Sequence, residues 1–106
     1  SLFRALAPLS SGRPIADAAA RFQSEPELSA LPVVDDRGRV LGLVERAYAW
    51  GAQARVEERM RRAVLVDSAA TLASACTAVL DGGAPPLFVG IRDGRYLGVG
   101  VLADLL

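Results

Sequence analysis

Gly38-Arg39-Val40-Leu41-Gly42 recurs as Gly94-Arg95-Tyr96-Leu97-Gly98, 56 residues further along the chain. Each copy follows a turn signal, Asp36-Arg37-Gly38 or Arg92-Asp93-Gly94, whose glycine is free to take positive φ. Apolar runs flank both turns, so each copy predicts a β-hairpin: strands over 31–35 and 39–44 in the first, 87–91 and 95–100 in the second. Working upstream, Ile15, Ala18, Ala19 and Phe22 stand at i, i+3, i+4 and i+7, the stripe of an amphipathic helix. Leu72, Ala75, Cys76 and Val79 repeat that stripe 57 residues later. A repeat of this length sets the architecture: the chain is two copies of one small α/β unit. A site formed between copies is then more natural than a catalytic centre inside one.

The remaining segments fit around this frame. Leu2 to Leu9 is short and apolar and reads equally as a strand or a helical turn. Ser10-Ser11-Gly12-Arg13-Pro14 reads as a helix start, with hydroxyls to cap free N–H groups and Pro14 at the first helical position. That helix runs to about Gln23, and Ser24-Glu25-Pro26 stops it. Glu45 to about Trp50 reads as a second helix ended by Gly51. Arg55 to Arg62 reads as another helical piece, with Glu57–Arg61 and Glu58–Arg62 as i, i+4 pairs. The unit then restarts with a strand over 63–66, a helix over about 71–80 capped by Asp67 or Ser68, and a break at Asp81-Gly82-Gly83-Ala84-Pro85. Val101 to Leu106 begins a last helix. Each unit reads β-α-β-β-α, an α/β (α+β) fold, with units at 1–54 and 55–106 forming one domain. Each half approaches the size at which a lone core becomes marginal, so the halves are expected to bury apolar surface together.

Composition narrows the function. The chain has 106 residues, 52% hydrophobic and 23% charged, a globular balance. No run approaches the roughly 18 apolar residues of a membrane span, and no basic head with an apolar stretch opens the chain, so a cytoplasmic setting is expected. Position 1 is Ser rather than Met, which fits a piece excised from a longer chain. Net charge is zero, and all 12 basic residues are Arg, without the basic stripe a nucleic-acid binder needs. Absence of His removes Ser-His and Cys-His pairs and the commonest metal ligand. One Cys makes neither an internal disulfide nor a structural zinc site, and absence of Lys removes Schiff-base and P-loop chemistry. No convergent acid–base set is visible, and the reading is of a non-enzyme.

Several tempting residues have simpler readings. Gly98-x-Gly100-x-x-Ala103 matches a dinucleotide fingerprint, but three residues after Ala103 leave no room for its helix, strand and acidic partner, so the glycines serve close packing. Arg59, Arg61 and Arg62 read as a solvated helix face paired to the glutamates. Cys76 lies on an apolar stripe and reads as a small core residue. Asp35 and Asp36 flank a hairpin, where Asp is ordinary turn chemistry. Tyr48 and Trp50, two apart on a helix, cannot share a face, so one packs inward while the other meets a partner chain.

The two β-α-β-β-α copies, each with a Pro-led strand (Pro32, Pro86), a Gly-Arg-x-Leu-Gly hairpin and a trailing helix, resemble a tandem pair of cystathionine-β-synthase (CBS) domains, or Bateman module, over nearly the whole chain. Gly-Arg-Tyr-Leu-Gly-Val-Gly followed by Ala-Asp-Leu-Leu also resembles the CBS pairs fused to bacterial diguanylate cyclases. The resemblance implies two sheets packed with pseudo-twofold symmetry, a homodimer of such pairs, and control of a fused or partner effector domain. It also implies an adenosyl ligand (AMP, ADP, ATP or S-adenosylmethionine) between the repeats, with no cofactor required. In the family the last strand leads into its helix as Gly-apolar-apolar-(Thr or Ser)-x-x-Asp, the hydroxyl and Asp holding ribose. Here Asp104 keeps the Asp, Val101 takes the hydroxyl's place, and the first copy has Glu45 and Tyr48 at the two positions. By resemblance Asp104 holds ribose, Val64, Val66, Pro86 and Leu87 contact the base, and Arg46 is placed for a phosphate. The competing reading of Asp104 is an exposed carboxylate suited to a helix's first turn. The rival function is a ligand-free dimerisation scaffold with degenerate sites.

Overall fold

Both hairpins form, and each extends a helix-covered sheet of three strands. The structure is a computed structural model that describes residues 2–51 and 53–106. Two compact units divide the chain, Pro8–Arg62 and Ser1–Ala7 with Ala63–Leu106.

In the first-repeat unit, β1 (Leu9–Ser10) is followed by α1 (Ile15–Ser24), β2 (Ala30–Val34) and β3 (Val40–Glu45), in sheet order β1-β2-β3. β1 runs parallel to β2, and β2 antiparallel to β3. Every residue of β2 is buried, and so are Ile15, Ala18 and Phe22 on one face of α1. Each fully buried Leu or Phe contributes about 1.5–3 kcal/mol. Pro32 sits in the central strand without breaking it. It pairs with Leu43, whose own N–H and C=O both turn outward to Arg61. The missing proline N–H therefore faces β1, whose pairing starts only at Val33.

In the second-repeat unit, β4 (Leu65–Asp67), α2 (Leu72–Asp81), β5 (Leu87–Arg92) and β6 (Arg95–Val101) repeat the arrangement, in order β4-β5-β6. Val66, Ala75, Val79, Phe88 and Leu105 form its core, with Phe3 and Cys76 packed against it. In both hairpins the leucine of the repeated motif is the residue without a partner: the register steps past Leu41 and past Leu97.

The second glycine of each motif takes a crossing segment. Arg61 pairs antiparallel with Leu43, and Arg4 with Val99. A Cβ on Gly42 would stand 2.5 Å from the Arg61 carbonyl oxygen, and one on Gly98 2.6 Å from that of Arg4. Gly100 lies opposite Phe88, where a side chain would run into the ring. The glycines of 98–100 therefore serve close approach.

Several expected elements are shorter or differently made. The helix expected over 45–50 is a single 3-10 turn, Arg46–Tyr48, and the one expected from 101 is the turn Leu102–Asp104. The helix expected over 55–62 is the turn Val56–Glu58. Beyond it the chain pairs with β3 through two backbone hydrogen bonds between Arg61 and Leu43, a stronger claim than i, i+4 pairs worth about 0.2–0.5 kcal/mol. Glu57 instead accepts the Gly12 N–H, Glu58 accepts the Arg55 N–H, and Arg61 pairs with Glu45. Residues 55–62 thus group with the first-repeat unit and residues 2–7 with the second. The caps shift too. Thr71 caps α2 by accepting the Ser74 N–H, while Asp67 closes its own turn onto the Ala69 N–H. Pro14 is the residue before α1 rather than its first, and the Ile15 N–H goes to the Ala54 carbonyl instead of a serine hydroxyl. Leu72 heads the second stripe in sequence yet is exposed, so the buried face of α2 is Ala75 and Val79.

Candidate functional site

β6 ends at Val101, which pairs with Leu87 at the start of β5. The chain turns there because the Leu102 N–H is held by the Pro86 carbonyl at 2.9 Å. One turn later Asp104 projects with its side chain 45% exposed. Pro86, Leu87, Val101 and Asp104 therefore gather at one end of the second-repeat sheet. Val64 lies beside them: its carbonyl accepts the Val89 N–H, and its side chain packs against Gly82. Val66 does not join them. It is 3% exposed inside the core cluster, so it holds the sheet and offers no surface to a base.

Arg46 has a different task from the one expected. Its Nε donates to the Leu28 carbonyl, Nη1 to Phe22, and Nη2 to Glu25 and Pro26, all at 2.8–2.9 Å. The guanidinium also lies 4.9 Å from the centre of the Phe22 ring. It therefore ties down carbonyls at and beyond the end of α1 and has little left for a phosphate.

In the first repeat, Glu45 forms an ion pair with Arg61, and Tyr48 stands exposed. With Leu43, Arg59 and Met60 they line a groove of about 310 Å³. Trp50 is exposed as well, so neither aromatic packs inward as expected. Asp35 behaves as turn chemistry: it accepts the Arg37 and Arg39 N–H groups, and the Arg39 backbone bond above all holds its carboxyl below the ordinary range. Among the described residues no group of three or more metal-ligating side chains assembles, and no helix is long and apolar enough to cross a membrane.

Sequence reasoning missed Arg4. Its Nη2 donates to Asp104 Oδ2 at 3.2 Å, which puts a cation beside the candidate ribose ligand. A signal existed: Phe3-Arg4 and Met60-Arg61 are 57 residues apart, the spacing that relates the two helical stripes. Both arginines occupy the same register on their sheets, and both reach a carboxylate at or beyond the strand's end.

Two three-stranded sheets of matching strand order, each with its own helix, repeat one α/β arrangement along the chain. The family model for the CBS domain matches residues 4–47, and the chain has the fold of a CBS pair. CBS domains are regulatory, non-catalytic modules. The CBS domains of a transcriptional regulator from Streptococcus pneumoniae share the fold with a TM-score of 0.81 at 19% identity, over 98% of this chain and 92% of that one. The CBS domain of a bacterial CNNM/CorC family Mg2+ transporter, solved in complex with ATP, gives 0.80 at 11% identity, over 98% and 80%. CBSX2 in complex with AMP gives 0.74 at 18% identity, over 94% and 84%. Comparison with curated proteins by sequence finds no match.

Proposed function

We propose that this CBS-pair module binds an adenosyl nucleotide (AMP, ADP, ATP or S-adenosylmethionine) at the second repeat and so controls a fused or partner effector domain. The observation that carries this is Asp104, an exposed carboxylate at the end of β6 beside Pro86, Leu87 and Val101. A carboxylate accepts both hydroxyls of a ribose diol, and the neighbouring apolar surface suits a base. The ATP and AMP complexes of structurally similar CBS domains support the ligand class. Val64, Pro86 and Leu87 contact the base, and Val101 lies against the sugar without supplying a hydroxyl. Binding shifts the balance of conformations available to the attached domain. The working form is a cytoplasmic homodimer.

A ligand-free dimerisation scaffold is the second reading. It is favoured by Val101 in place of a hydroxyl and by the Glu45–Arg61 pair across the equivalent position of the first repeat. Thermal unfolding with AMP, ADP, ATP, S-adenosylmethionine, NAD, GTP and cyclic dinucleotides separates the two, since a ligand of the folded state raises the melting temperature by mass action. A concentration-dependent rise with an adenosyl compound supports the nucleotide reading. A flat response to all of them, from a folded dimer, supports the scaffold.

A further inference from the structure

We infer that Arg4 is the phosphate contact of the second-repeat nucleotide site, so that binding clamps the segment Leu2–Leu6 onto its sheet. This rests on the nucleotide reading of Asp104. The second-repeat unit contains three cations, Arg4, Arg92 and Arg95. Arg92 and Arg95 face each other across the hairpin tip, at the opposite end of β5 and β6 from Leu87 and Val101. Arg4 is therefore the cation at Asp104's end of the sheet. Its side chain is 66% exposed, and among the described residues Asp104 is that side chain's partner. The contact uses Nη2 and Oδ2, leaving Nη1 and Nε for a phosphate and Oδ1 for a diol. Arg61, in the equivalent register of the first repeat, is more enclosed at 37% exposure and engages both Glu45 and the Arg62 carbonyl.

The segment carrying Arg4 is held as an added edge strand. The Arg4 N–H donates to the Val99 carbonyl at 2.7 Å and the Val99 N–H to the Arg4 carbonyl at 3.0 Å. The Phe3 ring meets Phe88 edge-on at 6.0 Å between centres, and the Tyr96 hydroxyl donates to the Leu6 carbonyl at 2.6 Å. A phosphate on Arg4 joins this segment to a ligand whose sugar is on Asp104. By linkage the ligand then stabilises the docked segment, and docking strengthens binding.

The test compares AMP with adenosine by titration calorimetry on the wild-type chain, Arg4→Ala and Arg4→Lys, with amide exchange at Arg4 and Val99. Arg4→Ala is expected to weaken AMP at least about tenfold, one charge-assisted hydrogen bond, while adenosine changes less than about twofold and Arg4→Lys recovers most of the loss. AMP is expected to slow exchange at both amides more than adenosine does. Equal binding of AMP and adenosine by the wild type, or an equal loss of both in Arg4→Ala, overturns the role of Arg4 and leaves the nucleotide reading standing. Binding of neither by the wild type overturns both.

Discussion

Replacing Arg46 by Ala removes one side chain and releases four backbone carbonyls, those of Phe22, Glu25, Pro26 and Leu28. At about 0.5–1.5 kcal/mol for each hydrogen bond, the four are worth about 2–6 kcal/mol. The contact with Phe22 adds about 0.5–1 kcal/mol. Arg46 is half-buried and the Pro26 end is exposed, so water recovers part of what is lost on truncation. The expected net cost is about 3 kcal/mol, which at about 4 °C per kcal/mol lowers the melting temperature by about 12 °C. Urea unfolding of wild type, Arg46→Ala and Arg46→Lys gives the free energies directly. A lysine keeps the charge, but one ammonium cannot reach four carbonyls spread over residues 22–28, so Arg46→Lys is expected to recover less than half the loss. A loss below about 1 kcal/mol in Arg46→Ala, or full recovery by lysine, refutes the reasoning that this residue is a structural clamp.

Gly98→Ala forces a Cβ against the Arg4 carbonyl, a backbone atom that can yield only by moving its segment. The expected cost is about 1–3 kcal/mol, and amide exchange at Arg4 and Val99 should accelerate. Glu57 has its carboxyl held below the ordinary range, chiefly by the Gly12 N–H, so its stabilisation is fully present above the ordinary glutamate range and is lost as pH falls below that range through the lowered folded-state value. Glu57→Gln should flatten that part of the acid limb in a pH series of urea midpoints, and an unchanged limb counts against it.

The hairpins and two main helices were legible because their causes are local. Turn chemistry of Asp and Gly and a 3.6-residue stripe act over fewer than about ten residues. The trailing and linking helices were misread because long-range pairing overrode local preference. Glu57, Glu58, Arg61 and Arg62 make two good i, i+4 pairs on paper, but the Leu43 backbone takes Arg61 out of any helix. Arg46 shows the same limit at the site: nothing local tells that its guanidinium turns back to carbonyls 18–24 residues earlier. Asp104 and its neighbours Pro86, Leu87 and Val101 were found through the motif at the end of β6, which is local. Arg4, 100 residues from Asp104 in sequence, was visible only as half of the Phe3-Arg4 and Met60-Arg61 echo. Val66 was placed on the right strand but on its buried side, a distinction that one residue of register decides.

Titration of AMP into the wild-type chain and Asp104→Ala, with stoichiometry read from the same calorimetric curve, tests the central claim most directly. Saturable binding at one AMP per chain, weakened at least about tenfold in Asp104→Ala while the variant keeps the wild-type unfolding midpoint, is the predicted result. Unchanged affinity in Asp104→Ala, or no heat of binding from folded wild-type protein, would contradict it.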